Sequence, residues 1–157
     1  MSAIVTWFQV GSTPVAGTEV LEGNPIEFGT LEPGQISTPD SDYYPVNLWN
    51  GRNVGTASTM TSVTLGLSVV SGSGNTAQLY TGTAGNNYQP MLEAYSNGAY
   101  GCADDGQTNW TAIGNGTRLS IGNVPTNCMR QIYYRLNIPY DADAVEFVAQ
   151  PDVQYLD

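Results

Sequence analysis

Residues 129–138, Met-Arg-Gln-Ile-Tyr-Tyr-Arg-Leu-Asn-Ile, restrict the fold more than any other stretch. Ile132, Tyr134, Leu136 and Ile138 recur at period two, and Met129, Gln131, Tyr133, Arg135 and Asn137 fill the opposite face. Side chains alternate faces only along an extended strand, so this pattern specifies β structure with one buried side. Pro125 and Pro139 bracket the run, and neither can donate a ladder hydrogen bond. The strand is expected to end near both and to act as a central support. Ile132, Tyr134, Leu136 and Ile138 are then core, and Tyr133 and Arg135 face the surface or a partner.

The rest of the chain repeats this grammar in shorter pieces. Strands are expected over 3–10, 18–22, 46–50, 61–70, 76–81, 89–96 and 144–149, and over 108–113 and 117–122 as a hairpin; between them Ile26 and Phe28 alternate with Glu27. In the stretch 61–70, Val63, Leu65, Leu67 and Val69 share one face. Pro33-Gly34 has the order of a type II turn, and Asn50-Gly51 favours positive φ. About nine or ten short strands with turn chemistry between them predict an all-β fold: a β-sandwich or jelly roll, immunoglobulin-like or related, as one domain over 1–157. Eighteen Gly and nine Pro fit that reading.

Fourteen Asp and Glu stand against four Arg, with no Lys and no His, for a net charge of −10. Nucleic-acid binding needs cations to neutralise phosphates, so it is not expected. Acidity favours solubility or a basic partner. The N-terminus lacks a basic segment and an apolar run of signal length, and no stretch has the length of a membrane-spanning helix, which predicts cytoplasmic synthesis and no membrane role.

Without His the commonest general base and metal ligand is missing, and without Lys so is Schiff-base chemistry. No P-loop, Gly-x-Ser-x-Gly or dinucleotide motif occurs. Catalytic, cofactor and metal residues are therefore expected to be none. The pairs Asp40/Asp42, Asp104/Asp105 and Asp141/Asp143 read as solvated turn carboxylates, with calcium binding or glycoside hydrolysis as the sharper alternatives. Cys102 and Cys128 read as two buried thiols, or as a disulfide formed once outside a reducing compartment.

Trp7, Trp49, Trp110 and the ten Tyr read mostly as core, with a sugar platform as the alternative. Trp7 and Phe8 lie on opposite faces of the first strand, which suits cover on both sides. Tyr43, Tyr44, Tyr100 and Tyr140 lie in loops or beside turns. With Trp7, Tyr133 and Arg135 they are the candidate interface residues. Each Arg is expected to pair with a carboxylate, that of Arg135 lying within the chain or on a neighbouring subunit.

Ile26-Glu-Phe-Gly-Thr-Leu-Glu-Pro-Gly34, followed by Val46-Asn-Leu-Trp-Asn-Gly51 and the strand 61–70, resembles an immunoglobulin-like pattern of tailed-phage structural proteins. Ile121-Gly-Asn-Val-Pro-Thr-Asn127, with the strand closing in Ile138-Pro-Tyr-Asp-Ala142, is similar to the end of such proteins. The resemblance implies a virion component: a capsid decoration (cement) protein, or a neck, tail or fibre module. It implies the major capsid protein or other virion proteins as partners, with a homo-oligomer, plausibly a trimer. A carbohydrate-binding or adhesive module is the second reading, and a carboxylate-pair hydrolase the third.

Overall fold

The structure, a computed structural model, describes residues 2–3, 5–9, 31–35, 46–52, 57–69, 91–104, 107–113, 117–138, 140 and 149–156. Among them are eight strands: β1 (Val5–Gln9), β2 (Val46–Asn50), β3 (Met60–Val69), β4 (Met91–Tyr100), β5 (Thr111–Ile113), β6 (Leu119–Val124), β7 (Cys128–Asn137) and β8 (Ala149–Leu156). All their pairings are antiparallel. They form a five-stranded sheet in the order β1-β2-β7-β4-β5 and a three-stranded sheet in the order β6-β3-β8. The expected strands at 18–22 and 76–81 lie outside the described residues.

The pattern at 129–138 becomes β7, with β2 on one side and β4 on the other. Ile132, Tyr134 and Leu136 are buried, and Ile138 is half-buried against the same cluster. Val46, Leu48, Leu92, Ala94 and Ile113 join them from the five-stranded sheet, and Val63, Leu65, Leu119, Ile121 and Val124 from the other. One cluster shared by two sheets is the arrangement of a β-sandwich. Burying a side chain such as Ile132 or Leu65 contributes roughly 1.5–3 kcal/mol.

Both ends of β7 are fixed by polar contacts. At its start the chain crosses from one sheet to the other through Pro125-Thr126-Asn127, where Cys128 N donates to Pro125 O and Asn127 takes φ 54°. Asn tolerates that left-handed conformation. Asn127 N donates to Asn50 O, and Asn50 Nδ2 donates to Val124 O at 2.9 Å and Ser58 O at 2.7 Å. Arg130 is only 1% exposed. It donates to Asn123 O at 2.8 Å and to the sulfurs of Cys102 and Cys128 at 3.0 and 3.4 Å. It lies opposite Leu48 in the register and therefore points between the sheets. At the other end, Glu32-Pro33-Gly34-Gln35 forms the expected turn, with Gln35 N donating to Glu32 O and Gly34 at φ 84°. That turn docks on the strand end: Gly34 N donates to Ile138 O, and Ile138 N donates to Gln35 O.

Two expectations are corrected. Residues 108–113 and 117–122 do not form a hairpin: β5 belongs to the five-stranded sheet and β6 to the other. Ile113 and Leu119 reach the same core from opposite walls, which alternation within each segment cannot distinguish from hairpin neighbours. The strand expected at 144–149 lies outside the described residues except for Ala149, where β8 begins; β8 runs to Leu156 with Pro151 inside it. It pairs with β3 alone among the described residues, and an edge position tolerates proline. Finally, β4 extends four residues past the expected Ser96. A bulge between Ser96 and Ala99 sets Asn97 and Gly98 against Gln131, with Gly98 at φ 119°.

The structure joins Cys102 and Cys128 in a disulfide, with Cα atoms 5.7 Å apart, inside the usual bridging range. The bond closes a loop between residues 26 apart. A loop of that size constrains the unfolded chain by about 3 kcal/mol. Urea unfolding with and without reductant is expected to differ by that amount. Cys102→Ser/Cys128→Ser is expected to reproduce the reduced curve, and coincident curves would show that the link contributes no stability.

Candidate functional site

Register places a row of large side chains on the outer face of the five-stranded sheet. In an antiparallel pair, residues directly opposite point to the same side. Glu93 pairs with Arg135, Tyr95 with Tyr133 and Tyr100 with Met129, while Met129 also pairs with Trp49 of β2. The bulge at Asn97-Gly98 makes this possible. Before it, Leu92, Ala94 and Ser96 face the core; after it, Ala99 faces Arg130 and Tyr100 turns outward. An added residue reverses side-chain parity, so Tyr100 joins Trp49 instead of the core. Their rings meet edge-on at 5.9 Å, and Tyr100 remains 44% exposed.

Further along the face, Tyr95 stacks on Tyr133 at 4.6 Å with an interplanar angle of 10°. Tyr95 also meets Trp110 edge-on at 4.3 Å and 71°. Arg135 Nε donates to Glu93 Oε2, and its guanidinium lies 4.2 Å from the Trp110 ring centre. The Tyr133 hydroxyl donates to Gln131 Oε1 at 2.8 Å. The result is one connected patch spanning β7, β4 and the entry to β5. Half-buried Tyr, Trp and Arg side chains are fixed by their neighbours here, so little rotamer entropy remains to be lost on binding.

The expected interface residues divide around this face. Tyr100, Tyr133 and Arg135 lie on it. Arg135 pairs within the chain. Trp7 instead packs toward the core, 6.4 Å from the Tyr134 ring, on β1. Tyr140 is 85% exposed and lies beyond β7, over Gly34, where an added Cβ would come within 2.7 Å of its ring. Tyr43 and Tyr44 lie outside the described residues, as does the side chain of Phe8. Neither Tyr95 nor Trp110 is among the expected interface residues; from the sequence both read as core, or as part of a sugar platform. Alternation with Leu92 and Ala94 was the available signal for Tyr95; the contact with Trp110 had none.

The remaining polar groups organise structure. Arg118 pairs with Asp152 at 2.6 Å and donates from Nε to Thr64 Oγ1 at 2.9 Å, linking β3 to β8. Asp104 Oδ2 accepts from Gly98 N at 2.7 Å and Gln107 Nε2 at 3.2 Å, which shapes the loop after β4. Asp40, Asp42, Asp105, Asp141 and Asp143 lie outside the described residues. Among the described residues no three His, Cys, Asp or Glu side chains group as metal ligands do.

Comparison with protein-family models, curated proteins and solved structures finds no match.

Two outcomes follow from the geometry of the site. Arg135 and Glu93 are both largely shielded, at 24% and 12% exposure, so removing one partner leaves a costly lone charge. Arg135→Met alone is expected to cost about 2 kcal/mol and Arg135→Met/Glu93→Gln less, giving a coupling of about 1 kcal/mol in a double-mutant cycle. Additive losses would show the pair to be energetically idle. The second outcome concerns pH. Burial, and then the neighbouring Tyr95, raises the Tyr133 phenol above its ordinary value of 10; burial alone raises Tyr134 strongly. Between the unfolded and folded pKa values, the unfolded chain holds fewer protons. Stability is thus intact below pH 10 and falls as pH rises beyond it. Phenolate absorbance is expected to show Tyr133 titrating late and Tyr134 titrating with unfolding.

Proposed function

We propose that the chain is a non-enzymatic structural protein of a virion. It is a capsid decoration (cement) protein of jelly-roll or immunoglobulin-like type, which binds the shell through protein–protein contacts. The observation that carries this reading is the aromatic patch formed by Tyr95, Tyr133, Trp110 and Arg135, with Tyr100 exposed beside Trp49 on the same sheet face. Tyr, Trp and Arg dominate binding energy at protein interfaces, where they work as rigid anchors rimmed by polar groups. The partial resemblance to tailed-phage structural proteins and the acidic, Lys-free composition support the same reading. The partner is the major capsid protein or another virion protein, approached by many symmetric copies, with a trimer as the working assembly. Synthesis is cytoplasmic and residence is in the particle, where the Cys102–Cys128 link forms after release.

A neck, tail or fibre module would use the same face on a different neighbour. Imaging of native particles distinguishes these positions: density for this chain is expected on the shell surface, and density at a neck or tail would reassign it. Purified protein is expected to bind shells, with Tyr133→Ala weakening binding at least about ten-fold. Absence of the chain from particles, or unchanged shell binding by the folded variant, would overturn the reading.

A further inference from the structure

The assembly reading leaves one feature of this face unused. Beside the aromatic patch lies an open cleft of about 300 Å³ lined by Tyr95, Asn97, Gln107, Thr108, Asn109 and Trp110. We propose that this cleft is a binding site for a single uncharged sugar ring.

The lining chemistry selects the ligand. Two walls are aromatic, and aromatic rings pack against the C–H faces of a pyranose. The other four lining residues carry amides or a hydroxyl, and none is charged. A side-chain amide both donates and accepts, as a pair of neighbouring hydroxyls does, so amides suit a diol better than a charge. Asn97 projects from β4 and Asn109 from the segment before β5. Both are exposed, and neither side-chain amide has a hydrogen-bond partner among the described residues. They supply open polar contacts at separate points of the rim.

Nearby charges are already satisfied. Arg135 is held by Glu93, and Asp104 accepts from Gly98 and Gln107. With a net charge of −10, the whole chain repels anionic saccharides. A neutral hexose or N-acetylhexosamine is therefore favoured over a sialylated or uronic-acid sugar.

The cleft is also built in advance. Thr108 N donates to Ser96 O at 2.9 Å, while Ser96 N donates to Thr108 Oγ1 at 2.9 Å, locking the cleft floor to β4. Gln107 is tied to Asp104, and Trp110 is held between Tyr95 and Arg135. Few groups need ordering when a ligand arrives. The cleft is open and at the small end of ligand sites, so one ring binds weakly, with a Kd on the order of 1 mM. Many copies on one particle would convert this to useful avidity.

The test is a nitrogen–proton NMR titration of the full chain with methyl glycosides of glucose, galactose and N-acetylglucosamine. Sialic acid and glucuronate serve as anionic counterparts. At least one neutral glycoside is expected to shift the Trp110 indole and the Asn97, Gln107 and Asn109 side-chain amides saturably. Asn97→Ala and Asn109→Ala are expected to raise Kd at least about five-fold while leaving the remaining spectrum native. No saturable shift with any neutral glycoside, tighter binding of the anionic sugars, or unchanged Kd in both variants would overturn the proposal. Shell binding is measured separately, so failure here is distinct from failure of the assembly reading.

Discussion

The hydrogen bonding of β7 on both edges is the constraint from which the other arrangements follow. A strand paired with β2 and β4 cannot slip by one residue without exposing Ile132, Tyr134 and Leu136 to water. Its register therefore sets theirs. The crossover before it, bonded through Asn50, Arg130 and Asn127, carries the chain from the three-stranded sheet into the five-stranded one. Such a buried polar corner is stable only when its donors and acceptors are met, and several of these bonds reach across sequence separations of dozens of residues. That makes the corner a specific joint between sheets.

Because β7 is fixed, its two faces can serve different ends. One feeds the shared apolar cluster. The other supplies Tyr133 and Arg135 to a patch completed by Glu93, Tyr95 and Trp110. The bulge in β4 turns Tyr100 to the same face, where it meets Trp49. One inserted residue thus decides whether a tyrosine serves the core or the surface.

Features written in short-range patterns were legible from sequence. The alternation at 129–138 and at 63–69, the turn at Pro33-Gly34 and the positive φ of Gly51 all depend on neighbours in the chain. Features that depend on distant partners were not. Arg130 looks like a surface cation until Asn123 and the two sulfurs surround it. Pro151 argues against a strand until β3 provides an edge for it. Ile113 and Leu119 look like hairpin neighbours until each is assigned a sheet. Tyr95 and Trp110 are fifteen residues apart, and only the β4–β5 pairing makes them a unit.

The Cys102–Cys128 bond also determines how the molecule bears load. The strands β5 and β6, which lie in different sheets, both fall inside the covalent ring it closes. Tension applied at the two chain ends passes through the sulfurs and bypasses everything between them. Inside the ring the chain passes between the sheets twice, from β5 to β6 and from β6 to β7, so these two crossings are mechanically sheltered, and a stretched molecule can pay out only the chain outside the ring. Under such tension the last parts to come apart would be the two chain crossings inside the ring.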